Sequence, residues 1–582
     1  MNKKIISILL AITLVFSLVL VGCGGDDNGE ESSTKSGSND SGETTADNGN
    51  TKEANGIKMD KEQYLNFRVY EPKSLDSTRT SSNTSWAPQT RLFEGLTRIQ
   101  AYEDGPDEIK PGVAKSWDVS EDERVYTFHL REDAKWSDGE PVTAHDFVYA
   151  WTRLLDPETA SPYQWFIKGK IKNSVDFAEG NGSADELGLT AVDDYTFKVE
   201  LEEPVPYFMQ LTYYPVLKPI RKDIAEKYGD KYGTEADTVV SNGPFVLKEW
   251  VHRAKMVYEK NPHYWDKDHV YIEKINGTIM EEDSAYYQAL YKGNLDSGGV
   301  GKPEWMDRLE KTGDFKVIKK PGAAVDFFMF NANNKYFKNT KIRRAFSAAY
   351  DRSEYVEEVT NGIDAPAHSY MPPTFSIGDE NYSEKVDGND FVKKLVEDIE
   401  DPKALLIEGL KEIGEDPDPA KMDVSILFRG TTEKTKQEAE WFKQSIDKTL
   451  GTDIKLDLLK WNIAFDRVDN NEFDIYYGGW FGDYNDPSTM LEFWHSKTGY
   501  YKIGWHNEEF NSLLIKAATT TDQDKRAEYF KRAEEILVYE DAIVSPFRHT
   551  RSNTFRRNYV KELANPLFGY TDYKHVYTLG RE

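Results

Sequence analysis

Ala114-Lys-Ser-Trp-Asp-Val-Ser120, Val125-Tyr-Thr-Phe-His-Leu-Arg131 and Ala134-Lys-Trp-Ser-Asp-Gly139 follow one another in a single short block. Tyr126, Phe128 and Leu130 alternate with more polar neighbours, the period of a half-buried strand. After a turn at Ser137-Asp-Gly139, Thr143 and Asp146 have the spacing of a capping box. Phe147, Ala150, Trp151, Leu154 and Leu155 then recur at helical spacing, so the block reads as strand, turn and capped helix.

The surrounding chain carries the same mixture. Leu65, Phe67 and Val69 alternate as a strand before a turn at Glu71-Pro-Lys-Ser-Leu-Asp76, and a short helix is expected within Ser85 to Leu96. Strands are expected near Val192 to Leu201, Asp423 to Phe428, Ile454 to Leu459 and Ala542 to Phe547. Helices are expected at Thr432 to Leu450 and Asp522 to Leu537. Patterning alone therefore predicts mixed α/β, and 582 residues exceed one core, so two or three domains are expected.

Hydrophobic residues at 38% and charged residues at 30% describe a globular body. A formal charge of -28, with no Lys/Arg run beyond the extreme N-terminus, argues against nucleic acid. A single cysteine excludes disulfide frameworks and paired-cysteine metal or redox sites. That cysteine closes Leu20-Val-Gly-Cys23, after Lys3, Lys4 and an apolar run from Ile5 to Val21, which describes a signal peptide over residues 1–22. An uncleaved membrane helix is the competing reading, but the run is about 17 residues and contains Ser7, Thr13 and Ser17. The ending resembles a bacterial lipobox, which implies cleavage before Cys23 and a lipid on its sulfur. Two acyl chains suffice for stable membrane anchoring. Residues 24–56 lack aromatic and branched aliphatic side chains and are expected to form a disordered tether with an end-to-end distance of roughly 30 Å.

A second distinctive stretch is Tyr476-Tyr-Gly-Gly-Trp-Phe-Gly-Asp-Tyr-Asn-Asp-Pro487. Phe473 to Tyr476 suggests a short strand, and the Asn-Asp-Pro turn places Asp483 in a loop. Gly478, Gly479 and Gly482 permit unusual dihedrals or close approach, while Trp480, Phe481 and Tyr484 supply flat apolar walls. A lone carboxylate in such surroundings is either a cation site or an ordinary turn cap, and these residues alone leave both open.

The opening block, together with Thr143-Ala-His-Asp-Phe-Val-Tyr-Ala-Trp151, Ser161-Pro-Tyr163, Glu203-Pro-Val-Pro-Tyr-Phe208, Ser241-Asn-Gly-Pro-Phe245, Asn261-Pro-His-Tyr-Trp265, Ile342-Arg-Arg-Ala345 and Gly479 to Pro487, resembles the family 5 extracellular solute-binding proteins, in particular their oligopeptide-binding lipoprotein branch. The resemblance implies an α/β, three-domain, two-lobed periplasmic-binding-protein-like fold (class II, cluster C type) with mixed sheets and ligand enclosed between lobes. It implies domain I at 57–94, 223–326 and 553–582, domain II at 95–222 and domain III at 327–552, with lobe crossings near Phe327 and Ser552. It further implies a monomer that binds oligopeptides, serves ABC permease and ATPase subunits, and is lipid-anchored on the extracytoplasmic face of a Gram-positive cell membrane.

Carried over by position, the resemblance makes Asp483 the partner of the ligand's α-ammonium group. Trp480 and Trp461 become pocket walls, and Tyr163 a contact from the smaller domain, although each of these three is by itself as readily a core residue. Backbone groups of Gly479 to Phe481 and of Thr80 to Asn83, Ser81 among them, would bond an extended ligand as an added strand does. Two departures from the family pattern stand out: Ser77 to Asn83 contains no acid, and Asn462 to Gly479 offers only Arg467 as a base. No cofactor, metal site or catalytic residue is expected, for the chain has no Gly-x-Ser-x-Gly or His-Glu-x-x-His motif, and Gly298-Gly-Val-Gly-Lys302 lacks the Ser/Thr and spacing of a phosphate loop. Asp483, Asn485 and Asp486 match a calcium loop weakly, with Trp494 where the twelfth-position Glu belongs. Alternatives are the same fold binding a nickel chelate, haem, an oligosaccharide or a peptide pheromone, and, of another class, a surface hydrolase.

Overall fold

The structure, a computed structural model, describes residues 50–581 apart from residues 104 and 497–499 and the side chain of residue 462. Cys23, and with it the signal-peptide and lipidation expectations, lies outside the described residues. The body from Asn50 onward is one compact unit, and no helix among the described residues is long and apolar enough to cross a membrane.

The opening block folds as its pattern requires. Val125–Leu130 pairs with Ala114–Val119 on one side and Thr196–Glu200 on the other, in a sheet completed by Leu189–Asp193. Helix Ala144–Leu155 starts with the Thr143–Asp146 capping box and buries Phe147, Ala150, Trp151, Leu154 and Leu155. Trp151 meets Phe197 edge to face at 5.3 Å and satisfies its indole N–H on Leu217 O at 2.8 Å. The single strand expected over Val192 to Leu201 is instead a hairpin. Asp193 Oδ1 accepts the N–H of Tyr195 at 2.8 Å, and this local bond turns the chain.

The frame of the molecule is an 11-stranded sheet among the described residues. Two long antiparallel strands, Phe315–Phe330 and Val544–Arg557, run through its middle. Toward one end Val544–Arg557 pairs with Ser297–Gly299, followed by Tyr64–Val69, Lys274–Ile279, Lys255–Lys260 and Phe245–Val251. Toward the other, Phe315–Phe330 pairs with Ile475–Phe481, followed by Ser425–Arg429 and Lys455–Leu459. The register between the long strands shifts between Pro321 and Val325, opposite Arg551 and His549. Gly322 lies in this irregular stretch, where an added Cβ would meet Thr550 O at 2.9 Å.

Separate apolar cores flank the two ends. Phe328, on the long strand, sits in a cluster with Phe442 at 4.7 Å, Phe547 at 5.3 Å and Tyr350 at 5.8 Å. Gly298, from the Gly-Gly-Val-Gly run, is a residue of an inner strand packed under the Tyr286 ring, so its lack of a side chain serves sheet packing.

Several expected boundaries move. The tether does not extend to Gly56, because Thr51–Ala54 and Ile57–Asp60 form a hairpin about Asn55-Gly56, both with positive φ. Asn-Gly suits such a turn, and Asn55 Nδ2 ties it to Asp268 O at 2.9 Å. The helix expected over Ser85 to Leu96 spans Asn83–Leu92, capped by Ser82. The strand expected over Ala542 to Phe547 begins at Val544 and continues to Arg557, and the helix expected to Leu537 ends at Glu535 before a π-turn. Near the C-terminus Val560, Leu563, Tyr573 and Val576 join the core that holds Trp151 and Phe197, but Phe568 packs on Phe375 at 5.0 Å in the core that holds Phe327. Phe328→Ala should lower unfolding free energy by about 3–5 kcal/mol, since it empties the aromatic cluster rather than a surface; a urea midpoint unchanged from wild type would contradict that packing.

Candidate ligand-binding site

The strand expected to stop at Tyr476 runs from Ile475 to Phe481, because Ala324 to Phe330 pairs with it along its whole length. On its other edge Ser425–Arg429 pairs only with Ile475 and Tyr476. From Tyr477 to Phe481 that edge has no strand partner among the described residues. Gly478 and Gly479 are explained by crowding: an added Cβ at Gly478 would meet the Phe327 ring at 2.9 Å, and one at Gly479 would meet Arg429 Nη2 at 2.8 Å and the Asp326 carboxylate. Gly482 lies against Phe375 and Phe568, and there the chain leaves the strand.

Asp483 follows immediately, in a loop as its turn residues predict, and is 5% exposed. The Tyr163 hydroxyl donates to its Oδ2 and the Tyr214 hydroxyl to its Oδ1, both at 2.8 Å. Among the described residues no Lys, Arg or His forms an ion pair with it. Burial pushes its carboxyl up to about 6, and the two tyrosine bonds only partly offset that. The same burial, reinforced by the Asp483 charge, holds both tyrosine hydroxyls far above their usual range.

Aromatic rings enclose this group. Trp86 meets Tyr163 edge to face at 4.7 Å and Tyr214 at 5.4 Å, while Phe166 stacks on Tyr214 at 4.8 Å. The Trp86 indole N–H is buried and has no hydrogen-bond partner among the described residues. A parallel set of contacts lies beside it: the Tyr207 ring stacks on Tyr484 at 4.9 Å, and its hydroxyl donates to Glu492 Oε1 at 2.9 Å. Thus three tyrosines of the 163–214 region donate to two acids of the 483–492 segment.

The other expected residues fall around this centre unequally. Trp480 is half-buried, packs on Phe493 at 4.1 Å and donates its indole N–H to Thr489 O at 3.0 Å. Phe481 is 41% exposed at the end of the open strand edge. Ser81 is exposed, and Asn83 begins a helix with its Oδ1 accepting from the Tyr570 hydroxyl at 2.7 Å. Trp461 is 57% exposed, with the Arg429 guanidinium, which also lies against Gly479, 4.8 Å from its ring.

Beside Gly479 a polar cavity of about 200 Å³ is lined in part by Asp326, Arg429, Lys434, Glu438 and Arg548. Arg548 is bound there to Asp326 at 2.6 Å and to Glu438 at 3.4 Å. Its bases thus come from outside the Asn462–Gly479 span that sequence reasoning searched. That reasoning also missed Tyr214 and Tyr570, which nothing local distinguishes from the rest of the 34 tyrosines, and Tyr207, whose one signal is its place in the Glu203 to Phe208 stretch. Among the described residues no group of three or more His, Cys, Asp or Glu is arranged to hold a metal ion.

Residues 108–502 match the family described as bacterial extracellular solute-binding proteins, family 5 Middle. The chain is 32% identical over 571 residues to the dipeptide-binding protein DppE of Bacillus subtilis, covering 97% of both chains. It is 34% identical over 550 residues to the oligopeptide-binding protein OppA of the same organism, covering 93% of this chain and 94% of that one. The crystal structure of Haemophilus influenzae OppA in complex with RPPGFSPFR is similar at a TM-score of 0.77 and 28% identity, over 90% of this chain and 100% of that chain.

Because the Asp483 carboxyl titrates near 6 when folded and near 3.9 when unfolded, the native state binds the extra proton between those values. Its contribution to stability is therefore lost as pH rises from about 4 to about 6. Asp483→Asn should consequently be more stable than wild type at pH 7, by up to about 3 kcal/mol, with the difference closing toward pH 4. Equal stabilities at pH 7 in chemical denaturation would show that the carboxylate is not desolvated.

Proposed function

The chain belongs to the bacterial extracellular solute-binding proteins of family 5, and from that premise we propose that it captures oligopeptides in extended form and delivers them to the permease of an ABC importer. The observation that carries this reading is a buried carboxylate set at the end of an open strand edge. Asp483 supplies a negative charge where a ligand α-ammonium group ends, and the main chain from Tyr477 to Phe481 supplies donors and acceptors along which an extended peptide adds as a strand. Such a scheme reads backbone, and the polar cavity beside Gly479 supports room for varied, solvated side chains.

In this reading domains I and II, at about 57–94, 95–222, 223–326 and 553–582, form one lobe and domain III, at 327–552, the other. The irregular register between Pro321 and Val325 supports a bending point for the paired long strands. Closure brings Tyr163 and Tyr214 onto Asp483, so ligand capture and lobe closure favour the same state. The chain is not an enzyme: its chemistry is binding, and ATP is spent on separate subunits. Cys23 carries the lipid, and the polar segment after it sets the monomeric receptor off the extracytoplasmic face of a Gram-positive membrane.

Titration calorimetry with a mixed-sequence pentapeptide and its N-acetylated twin tests the assignment. The free amine should bind without turnover, and both acetylation and Asp483→Ala should weaken binding by about a hundredfold or more, as expected when one partner of a buried ion pair is removed. Affinity should also fall on acidification, by about tenfold per pH unit once the Asp483 carboxyl of the ligand-free receptor carries a proton. If neither peptide binds, the ligand is not a peptide.

A further inference from the structure

Asp486 and Arg526 form a second charged site, three residues past Asp483. Asp486 is 3% exposed and Arg526 0%. The guanidinium grips the carboxylate in parallel, Nη1 to Oδ2 at 2.9 Å and Nη2 to Oδ1 at 2.8 Å. Two further donors are taken by Ala517 O at 2.9 Å and Gln523 Oε1 at 2.8 Å, so Arg526 is fixed to two helices at once, Glu508–Thr519 and Gln523–Glu535.

From Asp486 the constraint passes along the chain in both directions. Its Oδ1 also accepts the N–H of Ser488 at 3.0 Å, and its main-chain carbonyl accepts that of Thr489 at 3.2 Å. Thr489 then holds the two parts of the binding site: its Oγ1 accepts the Asp483 N–H at 3.1 Å, and its carbonyl accepts the Trp480 indole N–H at 3.0 Å. On the neighbouring side, Asn485 Oδ1 accepts the N–H of Ser376 at 2.8 Å. The guanidinium also lies 5.8 Å from the centre of the Tyr207 ring, the tyrosine that reaches Glu492. A carboxylate that must meet both a ligand charge and two hydroxyls is useful only if its loop cannot drift, and a bidentate pair resists drift in direction as well as distance.

We propose that Asp486 and Arg526 are positioning residues for the ligand's amino terminus, acting through Thr489 to aim the Asp483 carboxylate and the Trp480 ring. This rests on the reading of Asp483 as the ammonium partner. Neither residue touches ligand; their effect is on how sharply the site tells a free amine from a blocked one.

The test compares the free pentapeptide and its N-acetylated twin on purified full-length wild type, Asp486→Asn, and the double variant Asp486→Asn with Arg526→Gln. The double variant leaves no buried unpaired charge, so it remains informative where the single variant fails to fold. The wild-type preference for the free amine should fall by about tenfold or more in the variants, the scale usual when the partner orienting a binding group is removed. A lowered melting temperature with an undiminished free-amine preference would overturn the proposal, since it would make the pair structural only. A wild type that binds both peptides equally would instead overturn the ammonium reading beneath it, and the two failures are told apart by the wild-type titration alone.

Discussion

A carboxylate withdrawn from water is the constraint around which the rest of the chain is arranged. Ionised Asp483 is costly to bury, and in this fold two phenol hydroxyls from a distant part of the sequence reduce that cost without neutralising the charge. The charge therefore stays in place while its geometry is held. Much of the surrounding architecture serves this: the glycines let the strand lie against Phe327 and Phe375, the helix of Trp86 supplies a wall, and the C-terminal segment returns to place Tyr570 on Asn83.

The long paired strands explain how such a site joins two halves. Phe315–Phe330 and Val544–Arg557 each belong to both ends of one sheet, so the halves share backbone hydrogen bonds rather than a flexible linker alone. Their irregular stretch at Pro321 to Val325 removes several of those bonds at one level. Bending there disturbs less of the ladder than bending elsewhere.

How much of this is legible in the sequence depends on the range of the interaction that fixes it. The capping box at Thr143, the Thr432 cap of helix Glu433–Leu450 and the strand at Leu65 to Val69 follow from neighbours within one turn or one pleat, and the structure has them where the pattern puts them. Asp483 in a loop after glycines is equally local. The length of strand Ile475–Phe481 is not, because it is set by a partner some 150 residues away along the chain. Tyr214 reaches Asp483, and Tyr570 reaches Asn83 at the start of the Trp86 helix, only through tertiary folding, and the polar hairpin at Thr51 to Asp60 hides an Asn-Gly turn within a composition that reads as disordered.

An open strand edge carries a liability as well as a use, for unpaired main-chain groups are templates on which a second copy of a protein can add and begin to aggregate. The edge from Tyr477 to Phe481 is only five residues long, contains two glycines, and ends where the chain leaves the strand at Gly482. On the reading proposed above it offers a short guest enough hydrogen bonds to be held, and it offers a flat sheet too few to grow. In that reading, colloidal solubility and hospitality to short, unfolded chains are reconciled by the length of one gap in a ladder.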